Sequence, residues 1–150
     1  MVTIRSDDFT RRDKDVLKTA DETVNNNNST QADDALLVAL GANETWMLRY
    51  FIKYNSNTTA DFRYNISVPS GATYDSLLQG DNNLGPLFYY RTSSDELVAG
   101  KGADWAFIFN AVVKTSSTPG NVVFNWAQYT ANASDTKVLI GSNIVAHRLA

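Results

Sequence analysis

Cysteine is absent from all 150 residues. That removes a disulfide framework, a thiolate zinc site, a cysteine nucleophile and an iron–sulfur cluster together. Excess positive charge is missing too. Lys and Arg number 13 against 16 Asp and Glu, a net charge of −3, whereas a dedicated nucleic-acid binder needs a basic face. No run reaches the ~18 apolar residues of a membrane span. The opening MVTIRSDDFTRRDKD has no apolar stretch of the kind found in secretory leaders, so a protein made and folded in a cytoplasm is expected.

Reactive groups are equally sparse. His147 is the single histidine and lies in an apolar segment with no nucleophile-elbow motif elsewhere to serve. It reads as a partly buried or interface residue. Asp33 and Asp34, like Asp95 and Glu96, are adjacent, so on a strand their side chains diverge and cannot form a hydrolytic carboxylate pair. Asp61, Asp104 and Asp135 fall in or beside turns, where Asp caps the backbone. Asp81, Asn82 and Asn83 offer oxygen ligands without the spacing of a calcium loop. The expectation is no enzyme, no cofactor and no metal.

What the chain does have is alternation. Hydrophobic residues make up 43% and charged residues only 19%. Period-2 patterning begins at Leu36, Val38 and Leu40. It continues through Trp46, Leu48, Tyr50, Ile52 and Tyr54, then through Phe62, Tyr64, Ile66 and Val68. Trp105, Phe107, Phe109, Ala111 and Val113 repeat it, as do Val122, Phe124 and Trp126. Turn signals separate these runs, and no amphipathic pattern demands a helix, although one helical turn is conceivable at Tyr74 to Leu78. Leu87–Tyr90 and Glu96–Ala99 read as short strands. Eight to ten strands so spaced predict an all-β, antiparallel β-sandwich of jelly-roll type.

The predicted core is Trp46, Leu48, Tyr50, Ile52, Phe62, Tyr64, Ile66, Phe107, Phe109, Val122, Phe124 and Trp126. All three tryptophans, Trp105 included, are assigned to the core or a subunit interface, and Tyr89, Tyr90 and Arg91 to exposed contacts. Residues 1–15 alternate Arg and Lys with Asp and offer little to pack. They are read as an extended N-terminal arm, with 16–150 as the sandwich domain. Arg5, Arg11 and Arg12 are candidate docking cations, and Ile4 and Phe9 candidate anchors. Large side chains on both faces of the strand at 46–54 leave Met47 and Phe51 in need of cover, which a neighbouring subunit supplies.

Five segments carry a resemblance: KTADETVNN (18–26), GANETW (41–46), VPSGAT (68–73), GNVVFNWAQYTANASDTKVL (120–139) and IVAHRL (144–149). Together they resemble small β-sandwich virion structural proteins of tailed bacteriophages, over nearly the whole chain after the first fifteen residues. The resemblance transfers no catalytic residue. It implies a capsid decoration (cement) protein on the virion surface, a homotrimer whose arm grips the major capsid protein. The alternative is a tail- or fibre-associated module that binds a receptor or glycan. Residues 74–101 match nothing in the pattern and are where specificity of its own would lie.

Overall fold

The computed structural model describes residues 13–81, 86–91 and 95–150, with backbone alone at 81 and 86–91. The chain forms β1 (Asp13–Leu17), β2 (Glu22–Val24), β3 (Gln31–Leu40), β4 (Thr45–Asn55), β5 (Phe62–Ser67), β6 (Thr73–Asp81), β7 (Pro86–Arg91), β8 (Glu96–Val98), β9 (Asp104–Lys114), β10 (Gly120–Gln128), β11 (Thr136–Val138) and β12 (Asn143–Arg148). No helix occurs among the described residues.

The strands form two antiparallel sheets. The larger runs β1-β12-β4-β9-β6-β7, with β11 pairing both β4 and β2 at one end; the smaller runs β3-β10-β5-β8. Consecutive long strands change sheet: β3 lies in the smaller, β4 in the larger, β5 in the smaller, and β9, β10 and β12 alternate again. This is jelly-roll connectivity, as the sequence pattern predicts. The β6–β7 hairpin is an addition that widens the larger sheet beyond β9.

Alternation puts one side of every long strand inside. All twelve predicted core residues are buried, joined by Leu36, Val38, Leu40, Tyr54, Ala111, Val113 and Ile144. Aromatic rings fill the centre. Tyr50 stacks on Phe109 with centroids 4.0 Å apart, and Phe62 stacks on Trp126 at 5.7 Å. Tyr64 of the smaller sheet bridges to Phe107 and Phe109 of the larger at 4.8 and 4.9 Å. Such ring pairs add about 0.5–1.5 kcal/mol each beyond their area burial.

Several expectations are corrected. Tyr74 to Leu78 is not a helical turn but the middle of β6. Tyr74, Ser76, Leu78 and Gly80 face inward there, a set too polar and too small to register as an apolar stripe. Asp13, Lys14 and Asp15, assigned to the arm, belong to β1 and pair with His147, Ala146 and Val145 of β12. β3 starts at Gln31, ahead of its apolar alternation, because a register shift opposite Val123 and Asn125 interrupts the pattern. Trp105 has the inward parity of its strand but is 52% exposed, although its register partner Tyr54 on β4 is fully buried. The side chains of Tyr89, Tyr90 and Arg91, and the whole of Ile4, Arg5, Phe9, Arg11 and Arg12, lie outside the described residues.

Candidate interaction face

Along β4, Met47, Arg49, Phe51 and Lys53 point away from the core. The register sets Met47 between His147 of β12 and Val112 of β9. Arg49 lies between Val145 and Asn110, and Phe51 between Asn143 and Ile108. The same rows extend to Asp75, Leu77 and Gln79 of β6 and to Asp13, Asp15 and Leu17 of β1. Five strands thus present one surface, about 20 Å wide at the usual strand spacing.

That surface is apolar beyond what a solvated sheet face requires. Leu17, Met47, Leu77, Val112 and Val145 are each 40% exposed or more, and Phe51 and Ile108 are half-buried among them. Met47 and Phe51, singled out from the sequence, sit at its centre. Their partners on β12, β9, β6 and β1 escaped notice because each strand contributes only one or two outward apolar residues; only cross-strand register assembles them. Charge lies at Arg49 and Lys53 in the middle, at Asp104 and Lys114 at the ends of β9, and at Asp13, Asp15 and Asp75 toward the sides, with His147 paired to Asp13. Exposed apolar residues clustered on one sheet face, here interrupted by Arg49 and Lys53, are a feature of protein-contact surfaces.

The outer face of the smaller sheet differs. Asn125 donates to Asn65 Oδ1 at 2.8 Å and to Ser67 Oγ at 3.0 Å, and Asn65 donates to Asp95. The Arg63 guanidinium lies over the half-exposed Tyr129 ring at 5.3 Å. Amides on rigid strands beside an aromatic ring make a polar, preorganised surface.

Two further polar nodes are structural. Glu44 Oε2 accepts from Gly41 N at 2.7 Å and Trp46 Nε1 at 2.8 Å, while Oε1 meets Arg148 at 2.9 Å. Burial alone would raise this carboxyl, but the Trp46 and Gly41 hydrogen bonds and the Arg148 and Lys14 charges outweigh it and hold it below its ordinary value. Between the sheets, Lys18 Nζ lies 2.9 Å from both oxygens of Asp33 and 2.9 Å from Glu22 Oε2. Desolvation pulls the Lys18 ammonium down; hydrogen bonds and charge from Glu22 and Asp33 more than reverse this, so it stays above the ordinary lysine value. Asp33 is also held by Ala35 N, Leu36 N and Trp126 Nε1. Among the described residues no group of three or more His, Asp or Glu is arranged to hold a metal ion, and no helix is long and apolar enough to cross a membrane.

No protein-family model and no curated protein matches the chain. Among solved structures it is similar to Eiger TNF from S. frugiperda, with TM-score 0.44 and 11% identity over 93% of this chain and 94% of that one. It is also similar to the tripod from the baseplate of bacteriophage Tuc2009, with TM-score 0.42 and 7% identity over 98% of this chain and 69% of that one. A third likeness is to infectious bursal disease virus, Gx strain, with TM-score 0.25 and 8% identity over 91% of this chain and 40% of that one. At these scores the likenesses bear on neither partner nor function.

Proposed function

We propose that this chain is a bacteriophage virion structural protein, a capsid decoration protein that binds the assembled head shell as a homotrimer and acts by binding rather than catalysis. The observation that carries the reading is the apolar outer face of the larger sheet, centred on Met47 and Phe51, on a jelly roll whose opposite face already fills the core. The face suits subunit contact. The spaced segments that resemble phage virion proteins supply the rest, and residues 1–12, which precede β1 in the chain, are the segment assigned in this reading to grip the major capsid protein. Many weak contacts repeated over a shell give avidity without any strong single site.

The test uses purified empty capsids. Deleting residues 1–12, and not 1–15, leaves β1 intact, so fold and assembly are expected to persist while capsid capture falls at least tenfold. Each arm ion pair is worth only about 0–1 kcal/mol, so no single arginine substitution should match the deletion. Undiminished capture by the shortened chain would defeat the arm assignment. Imaging that finds the protein on tails and not heads would favour the alternative, a tail- or fibre-associated receptor- or glycan-binding module. The amide row Asn65–Asn125 beside Tyr129 is the surface that alternative would use.

A further inference from the structure

The Lys18–Asp33–Glu22 cluster has more reactive geometry than an ion pair needs. Lys18 follows β1 and is 3% exposed, and Asp33 on β3 is 1% exposed. β1 belongs to the larger sheet and β3 to the smaller, so the pair spans the sandwich at its open edge. Equal 2.9 Å contacts to both carboxylate oxygens press the nitrogen against Asp33 Cγ, within the about 3–3.5 Å from which attack proceeds. Asp33 Oδ1 accepts two backbone N–H groups, from Ala35 at 3.0 Å and Leu36 at 2.9 Å. Those donors are aimed where negative charge develops on attack at the carbon. Oδ2 is held by Trp126 Nε1 at 3.2 Å. Glu22 Oε2 touches the same nitrogen at 2.9 Å, and Glu22 is itself fixed by Gln31 Nε2 and Asp34 N. Nucleophile, electrophile, oxyanion donors and a proton carrier converge in a site nearly closed to water.

We propose that Lys18 and Asp33 condense to an intramolecular amide, with Glu22 carrying the proton. The ammonium first gives a proton to the Asp33 carboxylate, leaving a neutral amine beside a carboxylic acid. The Nζ lone pair then forms the C–N bond at Cγ, and the carbonyl electron pair moves onto Oδ1. Glu22 takes a proton from the nitrogen and returns it to the Oδ2 hydroxyl. The Cγ–Oδ2 bond breaks, water leaves, and the carbonyl re-forms on Oδ1. The balance is ammonium plus carboxylate to amide plus one water, with Glu22 restored and no oxidant or reductant consumed. The resting ion pair favours the charged forms, so the neutral pair is the scarce reactive state and condensation is slow and single-turnover. The bond would staple β1 to β3, and so one sheet to the other, at the point where the N-terminal segment enters the fold.

Mass spectrometry of the denatured full-length protein reads this directly. Wild type should be lighter than its sequence by one water, about 18 Da, as expected for nucleophilic acyl condensation. Fragmentation should show a branched peptide joining residues 18 and 33. Lys18→Arg should keep the full sequence mass. Glu22→Gln preserves size and cluster packing, and should cut the cross-linked fraction at least tenfold at equal incubation. A folded wild type, shown by cooperative unfolding, that retains its full mass after prolonged incubation overturns the proposal. So does a water loss that persists in Lys18→Arg or maps elsewhere.

Discussion

Tyr50 shows how unequal two buried aromatic residues can be. Its ring is fully buried and stacks on Phe109, yet its hydroxyl finds no hydrogen-bond partner among the described residues. Burial, and secondarily Tyr74, push the phenol far above its ordinary value, so it stays protonated and its polar atom is a net cost. A buried group left without a partner forfeits about 1–3 kcal/mol of desolvation. Tyr50→Phe is therefore expected to leave stability unchanged or raise it. Phe124→Ala removes a ring that packs on Tyr50, Tyr64 and Phe109 and should cost about 3–5 kcal/mol. Urea unfolding of both variants checks the contrast; a Tyr50→Phe loss approaching that of Phe124→Ala would mean the hydroxyl has a partner that stabilises the fold.

At the scale of elements, the turn from β3 to β4 is held by one carboxylate. Asn43 takes φ 56°, and a Cβ on Gly41 would fall 2.6 Å from the Glu44 carboxylate, so glycine is what lets that carboxylate reach the Gly41 N–H. Glu44 is depressed below its ordinary 4.5. The folded state thus binds its proton less tightly than the unfolded state does. Its stabilisation is present above the unfolded value and is lost as pH falls through the lower folded value. The stability gap between wild type and Glu44→Gln should be full at pH 7 and close as pH drops below about 4.5. A gap independent of pH from 7 to 3 would refute the linkage. GANETW was visible in the sequence as a motif, but its role was not: of the residues that complete the node, Thr115 lies 71 residues from Glu44 along the chain and Arg148 farther still. Long strands with unbroken alternation, β4, β5, β9 and β10, were legible because period and burial coincide. β6 was not, because Ser76 and Gly80 stand at inward positions. Nor was Asp33, whose burial depends on Lys18 and Trp126 arriving from other strands.

For the whole molecule the question is what covers the outer face of the larger sheet. The smaller sheet ends its outer side in side chains that satisfy one another, Asn125 bonding to Asn65 and Ser67 and the Arg63 guanidinium pairing with Asp95; the larger sheet leaves Met47, Val112, Val145, Leu77 and Leu17 to solvent. Apolar area buried between subunits contributes roughly 25 cal/mol per Å² before association costs. Because the apolar residues are spread over five strands, no one of them can be dispensed with by a local shift, and a charge at the centre must be desolvated against them. Met47→Glu lies on the exposed side of β4 and leaves the core untouched, so the monomer should still fold with cooperative unfolding. Light scattering should give wild type a mass of three times the 16.6 kDa chain, and Met47→Glu a mass of one. The charged variant should also lose avidity for capsids, since trivalent attachment becomes monovalent. A wild type that scatters as a monomer, both free and after release from capsids, would show that this face is covered by something other than a second copy of the chain.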